Sequence, residues 1–313
     1  MLGRLTKVPY RDTFSYDAPF QGESILNDLK KILLNFRPTK VFVTLPIDTN
    51  GDHQAFYLFL RVALWDLVGR IPPPDVLAYV VHIVRWPLPR GSHEDLRLEP
   101  PPKLAHTDLT WLTLELNPDE ILKKKQAIAR FKSQNAYNPK YLFSFVRRNE
   151  LFTRMPDLVL GHQSQEIPWP EEELKQNLQS HSTGQTSAAN LIQNVTYARQ
   201  NAVLLIRLHI NRWESEMMGL NLYLLGYKKG KDFAKMPKIR LHLKFGDEIS
   251  VFDGRHPILV KNMHFSRQGD ILLIEFPLAS LDNPDYILTS VKTQLSDWPL
   301  ETTGWRTLVL PPD

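Results

Sequence analysis

The sequence has 313 residues, of which 42% are hydrophobic and 23% charged, so it can bury one large core or two medium ones, and we expect two domains. It contains no cysteine, which excludes disulfides, thiolate zinc ligands and a cysteine nucleophile; any metal must therefore be bound by His, Asp or Glu. The formal net charge is +4, but the basic residues are spread along the chain, which argues against a nucleic-acid partner.

The N-terminal half alternates predicted helices with predicted strands. Apolar residues at helical spacing predict helices over 24–36, 53–68, 118–132 and 139–150. Short apolar runs predict buried strands over 41–45, 77–84 and 111–116. This alternation predicts an α/β domain with a parallel sheet over residues 1–160. The inner face of the second helix is expected to carry Phe56, Leu60, Ala63, Leu64 and Leu67.

The C-terminal half has a different composition. Residues 161–195 are polar and poor in large apolar side chains, which predicts a linker. From 196 to 313, apolar and polar residues alternate in short runs that are separated by glycines, which predicts an antiparallel β-sandwich. No apolar run approaches the roughly 18 residues of a membrane span and the first residues are not a signal peptide, so we expect no membrane span and a cytoplasmic location.

The segment from Asp48 to His53 lies between a predicted strand and a predicted helix, where ligands bind in open α/β sheets. Asp52 is expected to cap the helix, and His53 to point at the sheet edge, where a neutral imidazole can ligate zinc. The alternative is a helix cap followed by a histidine that only packs. A calcium loop starting at Asp48 is excluded, because Gly51 falls at its fourth position instead of its sixth and no glutamate occupies the twelfth.

Three stretches together resemble a known family. Residues 37–46 read Arg-Pro-Thr-Lys-Val-Phe-Val-Thr-Leu-Pro and are followed by Asn-Gly-Asp-His-Gln-Ala at 50–55. Residues 81–89 contain His and Trp-Pro, and residues 125–134 contain Lys-Gln-Ala-Ile and end in Ser-Gln. In order and spacing these stretches resemble the PIG-L/LmbE family of zinc-dependent N-deacetylases over roughly residues 8–155.

The resemblance implies an incomplete Rossmann-like parallel sheet and a zinc-dependent hydrolysis of the acetamide in N-acetylglucosamine-type conjugates. His53 matches a zinc ligand of the family, and Asp52 matches the adjacent carboxylate that would orient it. Asn50 stands where many members have a histidine that stabilises the oxyanion, and its amide can still donate a hydrogen bond. His82 is expected to line the same pocket, with Trp86 beside it as a stacking platform for a sugar. The alternative is that His82 is a buried histidine whose hydrogen bonds are made by the backbone.

The family's His-Pro-Asp-Asp-Glu motif, which supplies two more zinc ligands and the general base, is absent from the sequence. The nearest string, at residues 93–95, has the wrong order and place. We therefore expect weak or absent zinc binding and no activity from this chain in isolation. The strand that would carry the motif is also missing, so the flank of the sheet is expected to be exposed or covered by another chain.

A second hypothesis is a non-catalytic carbohydrate-binding or interaction protein that derives from a deacetylase. Aromatic residues of the C-terminal half would provide its sugar-binding face, unless they belong to the core: Trp213, Tyr223, Tyr227, Tyr286, Trp298 and Trp305. A nucleotide-binding Rossmann enzyme is a distant third, since no glycine-rich fingerprint follows any strand.

Overall fold

Helices and strands alternate in the first half of the chain, and strands dominate the second half, in the computed structural model of the protein. The structure describes residues 5–104, 107, 109–161, 191–211, 218–244, 248–296 and 298–312. Over these ranges the chain forms five α-helices, all before residue 144, and sixteen β-strands. None of the helices in the described ranges is both long and apolar enough to cross a membrane.

The five helices agree only partly with the predicted ones. They are α1 (Gly22–Phe36), α2 (Gly51–Asp66), α3 (Pro118–Arg130), α4 (Lys132–Tyr137) and α5 (Pro139–Phe143). The first three lie within two residues of their predicted bounds. The helix predicted over 139–150 is wrong, because α5 ends at Phe143 and a strand begins at Asn149.

Local sequence explains where the helices begin and end. In α1, Leu26 and Leu33 lie seven positions apart, on one face, and both are buried. The helix closes where Arg37, in the left-handed conformation with φ 48°, donates its backbone N–H to the carbonyl of Leu33. At the start of α3, the side chains of Asn117 and Glu120 each accept the other's backbone N–H, which forms a capping box.

The N-terminal sheet is mixed and not parallel as predicted. Its strands are β1 (Lys40–Thr44), β2 (Asp75–Tyr79), β3 (Thr110–Glu115) and β4 (Asn149–Arg154), in the order β1-β2-β4-β3. Only β1 and β2 run parallel; β4 is antiparallel to both of its neighbours. The parallel prediction fails because β4, which the sequence pattern did not reveal, occupies the place beside β2. Within the described ranges, β1 pairs with β2 alone.

The remaining strands form two antiparallel sheets. They are β5 (Leu158–Val159), β6 (Ile192–Gln200), β7 (Val203–Ile210), β8 (Met218–Tyr227), β9 (Lys238–Lys244), β10 (Ile249–Asp253), β11 (His256–Ile258), β12 (His264–Gln268), β13 (Ile271–Pro277), β14 (Tyr286–Leu295), β15 (Trp298–Thr302) and β16 (Arg306–Val309). The larger sheet has the order β11-β10-β9-β8-β14-β16-β5, with β15 also paired to β14, and the smaller has the order β12-β13-β7-β6. The short β5 is parallel to β16 and is the exception to the antiparallel pattern.

These two sheets pack face to face, as the sequence predicted for the C-terminal half. Alternate residues of β7, β9 and β13 are fully buried between them, including Leu204, Leu241 and Ile274. Alternation with a period of two places such side chains on one face of each strand. The predicted linker falls mostly on residues 162–190, which lie outside the described ranges, while the strand β5, before it, already belongs to the larger sheet.

The outer face of the larger sheet packs against the N-terminal unit and forms a second core. Trp65 of α2 stacks on Tyr286 of β14 with ring centroids 4.3 Å apart. The hydroxyl of Tyr227 donates to Asp66 at 2.8 Å. Helix α2 is therefore buried on two sides, and for this reason the prediction of its inner face is partly wrong. Phe56, predicted on the inner face, is 45% exposed, whereas Trp65 is 6% exposed because the larger sheet covers it.

Candidate metal centre

Three potential metal ligands meet at the carboxyl ends of β1 and β2. Asp48 lies in the loop that follows β1, His53 in the first turn of α2, and His82 just beyond β2. Because β1 and β2 are parallel, the segments that leave their carboxyl ends lie at the same edge of the sheet. One ligand atom from each residue lies within 4.8 Å of the other two.

Asp48 is fully buried and joins the two segments. Its Oδ2 accepts the backbone N–H groups of Val81 at 3.0 Å and His82 at 2.8 Å. Its Oδ1 accepts the backbone N–H of Asn50 at 2.9 Å. These contacts replace the sheet hydrogen bonds that Val81 and His82 would otherwise make, which is why β2 ends at Tyr79 and not at the predicted residue 84.

His53 presents a buried nitrogen to this carboxylate. Its Nδ1 is 3.2 Å from Oδ2 of Asp48, close enough for an ion pair. The geometry does not make a hydrogen bond, however, and Nδ1 is buried with no hydrogen-bond partner. A buried ring nitrogen without a partner is costly, and a metal ion shared with the adjacent carboxylate would satisfy it.

His82 lies beside His53, and Tyr141 of α5 holds its ring. The two imidazole centroids are 4.9 Å apart, and the ring of His82 stacks on that of Tyr141 at 5.7 Å. The hydroxyl of Tyr141 donates to the carbonyl of Val81 and lies 3.2 Å from Nδ1 of His82. Since the hydroxyl hydrogen is used on Val81, this contact favours the tautomer of His82 that has its proton on Nδ1 and a free lone pair on Nε2.

The protonation states also suit metal binding. Burial lowers the pKa of His82; the Asp48 carboxylate opposes this shift, and neighbouring His53 adds to it. Burial raises the pKa of Tyr141 to about 12, with the Asp48 charge acting in the same direction. At neutral pH the imidazole of His82 is therefore neutral and the phenol of Tyr141 stays protonated. A neutral imidazole is the form that ligates zinc.

The donor set fits zinc. Two imidazole nitrogens and one carboxylate oxygen are ligands that zinc accepts, and three protein ligands leave one position for water or substrate in a tetrahedral site. With zinc–ligand bonds of about 2.0–2.1 Å, two neighbouring ligand atoms of a tetrahedral site are about 3.3 Å apart. The observed 3.2 Å between Asp48 and His53 agrees with that spacing.

The sequence-predicted site residues divide into two groups. His53 and His82 come together as expected. Asp52 does not cap α2; it is exposed, and Asn50 is the N-cap, whose side chain accepts the backbone N–H of Asp52 at 2.9 Å. The carboxylate beside His53 is Asp48, not Asp52. The side-chain oxygen of Asn50 is thus held at the helix start, while the oxyanion role that the family resemblance implied would use its amide nitrogen and stays a prediction.

Trp86 is not the sugar platform that the sequence suggested. Its side chain is buried and its indole N–H donates to the carbonyl of Glu99 at 2.9 Å. Its ring also packs edge-on against Phe145.

Sequence reasoning missed Asp48 and Tyr141. Asp48 had a usable signal, because an aspartate directly after a buried strand and five residues before a histidine lies at the ligand-binding edge of the sheet; Tyr141 had none, because it reaches the site only through the fold of α5.

The aromatic residues of the C-terminal half belong largely to the second core. Tyr227 and Trp305 are buried in it, and Tyr223 and Tyr286 pack against it while half-buried. Trp298 is 78% exposed, and Trp213 lies outside the described residues. Of the predicted sugar-binding aromatics, Tyr223 therefore combines a fixed position with a partly accessible ring.

No protein-family model matches the chain, and none of the curated proteins matches it. Similar solved structures include a family 9 carbohydrate-binding module (CBM9) from Caldicellulosiruptor kristjanssonii in complex with cellotriose, at 9% identity and TM-score 0.33, covering 50% of this chain and 95% of the module. A complex of such a module with glucose has 8% identity and TM-score 0.32, and the match covers 50% of this chain and 97% of the module. A DUF3823 family protein from Bacteroides ovatus has 15% identity and TM-score 0.23, covering 38% and 55%. Similarity this low does not indicate a function for this chain.

Proposed function

We propose that this chain binds zinc through Asp48, His53 and His82 and hydrolyses the acetamide of N-acetylated sugars. The observation that supports zinc is the buried Nδ1 of His53, which has no hydrogen bond and lies 3.2 Å from the carboxylate of Asp48. The substrate class rests on the resemblance of residues 37–55 to the PIG-L/LmbE deacetylases. The proposal differs from the family pattern, because Asp48 and His82 take the places of ligands from the absent His-Pro-Asp-Asp-Glu motif.

The residues of this chain have separate roles in the proposal. Bound zinc would polarise the amide carbonyl and lower the pKa of a water molecule. Asp48 holds the two segments in register through three backbone N–H groups while one oxygen faces His53. Tyr141 fixes the ring of His82 so that Nε2 is the free nitrogen.

A second candidate is carbohydrate binding without catalysis. Both oxygens of Asp48 already accept backbone N–H groups, so this carboxylate is poorly suited to take a proton from water. The sequence also lacks the motif that supplies the family's general base. In this second candidate function, the zinc site orients a sugar amide and does not cleave it.

Metal analysis tests the zinc site. After incubation with zinc and gel filtration, the full chain is expected to retain about one zinc per molecule, in line with one three-ligand site. His53→Ala and His82→Ala should each lose it. His256→Ala is the matched control, because His256 is exposed in β11, the terminal strand in the order of the larger sheet. Zinc retention that is equal in all four proteins would disprove the site.

Two further measurements separate the candidate functions. Acetate release from N-acetylglucosamine conjugates by the zinc-loaded chain, lost in His53→Ala, supports hydrolysis. Glycan binding that persists in chelator, with no acetate release at full zinc occupancy, supports the non-catalytic function and rejects the hydrolase.

A further inference from the structure

A group of polar and cationic side chains occupies the outer face of the larger sheet, at the border of the part that packs on the N-terminal unit. On β8, Leu225 and Tyr227 lie under that unit, Tyr223 lies at its border with its ring centroid 5.8 Å from that of Trp305, and Asn221 lies further along the same face. Neighbouring strands contribute the rest. We call this group the cationic sheet face and define it as Asn221, Tyr223, Arg240, His242, Lys292 and Gln294.

Strand register explains why these side chains converge. Asn221 pairs with His242 of β9 on one side and with Lys292 of β14 on the other. Tyr223, two residues further along, pairs with Arg240. Side chains directly opposite each other on one face are close neighbours, so the six residues form one continuous patch. The alternate residues, such as Leu222 and Leu241, point into the sandwich core.

Hydrogen bonds hold the amides of this face in place. The amide nitrogen of Asn221 donates to the side-chain oxygen of Gln294 at 2.7 Å. The oxygen of Asn221 accepts from Nδ1 of His242 at 3.0 Å and from Arg240 at 3.4 Å. Asn221 is only 4% exposed, so the network is fixed from below, while the residues around it keep groups that reach solvent.

The two cations of this face have no carboxylate partner among the described residues. The guanidinium of Arg240 lies 4.3 Å above the ring of Phe252. The ammonium of Lys292 lies 5.4 Å from the centroid of the Tyr223 ring. Burial lowers the pKa of Lys292, because desolvation penalises its charge and no described anion compensates for it. An anion placed between these two cations would offset that penalty.

Aromatic and amide groups next to two cations are the chemistry that recognises an acidic sugar. A sugar ring stacks on an aromatic face, its hydroxyls bond to amides and imidazole, and its anionic group bonds to Arg and Lys. A solvated basic surface is the simpler alternative. A solvated surface, however, does not require Lys292 to be half-buried against the ring of Tyr223, nor Asn221 to bond to three neighbouring side chains.

We propose that the cationic sheet face binds an acidic saccharide, with the sugar ring on Tyr223 and its carboxylate or phosphate between Arg240 and Lys292. Asn221, Gln294 and His242 would then bond to the sugar hydroxyls. None of the six residues belongs to the zinc cluster, and the proposal does not depend on that cluster.

Calorimetric titration of the full chain tests the proposal with four probes: trigalacturonic acid, glucose 6-phosphate, neutral glucose and inorganic phosphate. At least one acidic sugar should bind about tenfold more tightly than glucose and than inorganic phosphate, and added salt should weaken it. Preference for trigalacturonic acid identifies a carboxylate ligand, and preference for glucose 6-phosphate a phosphate ligand. Equal binding of inorganic phosphate would mean a general anion site only, and equal binding of glucose would mean no charge recognition; either result rejects the proposal.

Variants connect the binding to these residues. R240Q/K292Q removes both charges but keeps long polar side chains, so we expect it to fold and to bind the acidic sugar about tenfold or more weakly. The matched control is R255A/K261A, which removes two exposed cations elsewhere on the sandwich. Unchanged affinity in R240Q/K292Q would overturn the site. Zinc retention should be normal in R240Q/K292Q and sugar binding normal in H53A, so failure of either proposal can be recognised separately.

Discussion

The indole N–H of Trp305 donates a hydrogen bond to the side-chain oxygen of Gln54 at 3.3 Å, across 251 positions of sequence. Gln54 follows His53 in α2, and its amide nitrogen donates to the backbone carbonyl of Asp48 at 2.7 Å. The backbone N–H of Trp305 also donates to the carbonyl of Pro46 at 3.3 Å. The C-terminal sheet therefore fixes the loop and the helix start that carry two of the three cluster residues.

Replacing Trp305 by Phe should destabilise the protein and weaken zinc binding. The change leaves the buried oxygen of Gln54 without its donor, which costs about 1–3 kcal/mol in the free energy of unfolding. Urea denaturation and zinc titration measure the two effects. Trp298→Phe is the control, because Trp298 is 78% exposed and should change neither quantity. Equal stability of the two variants would show that the Trp305 contact does not contribute.

The link between Trp305 and Gln54 also shows what the sequence can predict and what it cannot. Helix bounds and the sandwich follow from periodicity, and the ligand-binding edge follows from a polar loop after a buried strand. Asp52 and Asp48 are both plausible partners for His53 on spacing alone; only the burial of Asp48 by the residues after β2 decides between them. The strand β4 was hidden because a charged segment with only partial apolar alternation is specified by its sheet neighbours and not by its own pattern.

Asp48→Asn should cost more stability than Asp52→Asn. The buried carboxylate of Asp48 accepts three backbone N–H groups, and an amide offers one oxygen and turns an NH₂ group towards the remaining donors. An amide oxygen in place of Oδ2 keeps two of these bonds and loses the one to Asn50, and a charge-assisted bond is worth about 1.5–3 kcal/mol, so a loss of at least about 1.5–3 kcal/mol is expected in chemical denaturation. Asp52 is exposed, and its variant should stay within about 0.5 kcal/mol of the parent. A smaller loss for Asp48 than for Asp52 would contradict its structural role.

Zinc should stabilise the protein, and magnesium should not. A ligand at about 100 times its Kd adds about 2.7 kcal/mol to the free energy of unfolding when it binds only the folded state. Two imidazoles and one carboxylate favour zinc, whereas magnesium prefers oxygen ligands and retains its water. Thermal denaturation with each metal, and with chelator, measures the difference. A rise in Tm with zinc that persists in H53A/H82A would place the metal at another site.

Stability should fall as the pH is lowered from about 7, with part of the loss due to His242. Burial lowers the pKa of His242 below its ordinary 6.5, and the charges of Arg240 and Lys244 act in the same direction while Glu248 opposes them. Above about pH 6.5 the histidine is neutral in both states. As the pH falls below that value, the unfolded chain takes up the proton first, so the free energy of unfolding decreases until the lower folded pKa is reached.

The difference between the parent and His242→Gln isolates this contribution, because other histidines titrate equally in both proteins. Urea denaturation from about pH 8 to about pH 5 should give a difference that is constant above about pH 6.5 and shifts in favour of the variant below it. A difference that is independent of pH would show that the pKa of His242 is the same in the folded and unfolded states.

Arg147→Met should destabilise the loop that leads from His82 towards α5. Arg147 is fully buried and donates to the carbonyls of Pro89 at 2.7 Å and Gly91 at 3.1 Å, on either side of Arg90. The methionine fills a similar volume but leaves these carbonyls without a donor, which should cost about 1–3 kcal/mol.

The same substitution should also weaken zinc binding, because Arg90 lies 4.7 Å over the ring of Tyr141, the residue that orients His82. Arg147→Lys keeps the charge but not the planar guanidinium that reaches two carbonyls. Its loss of stability and of zinc affinity should therefore lie between the parent and Arg147→Met. Arg148→Met is the neighbouring control, since Arg148 is exposed. If Arg147→Met and Arg148→Met have the same free energy of unfolding, the buried guanidinium does not hold the loop. If Arg147→Met lowers stability while zinc affinity stays at the parent value, Arg147 holds the loop but the loop does not set the position of His82.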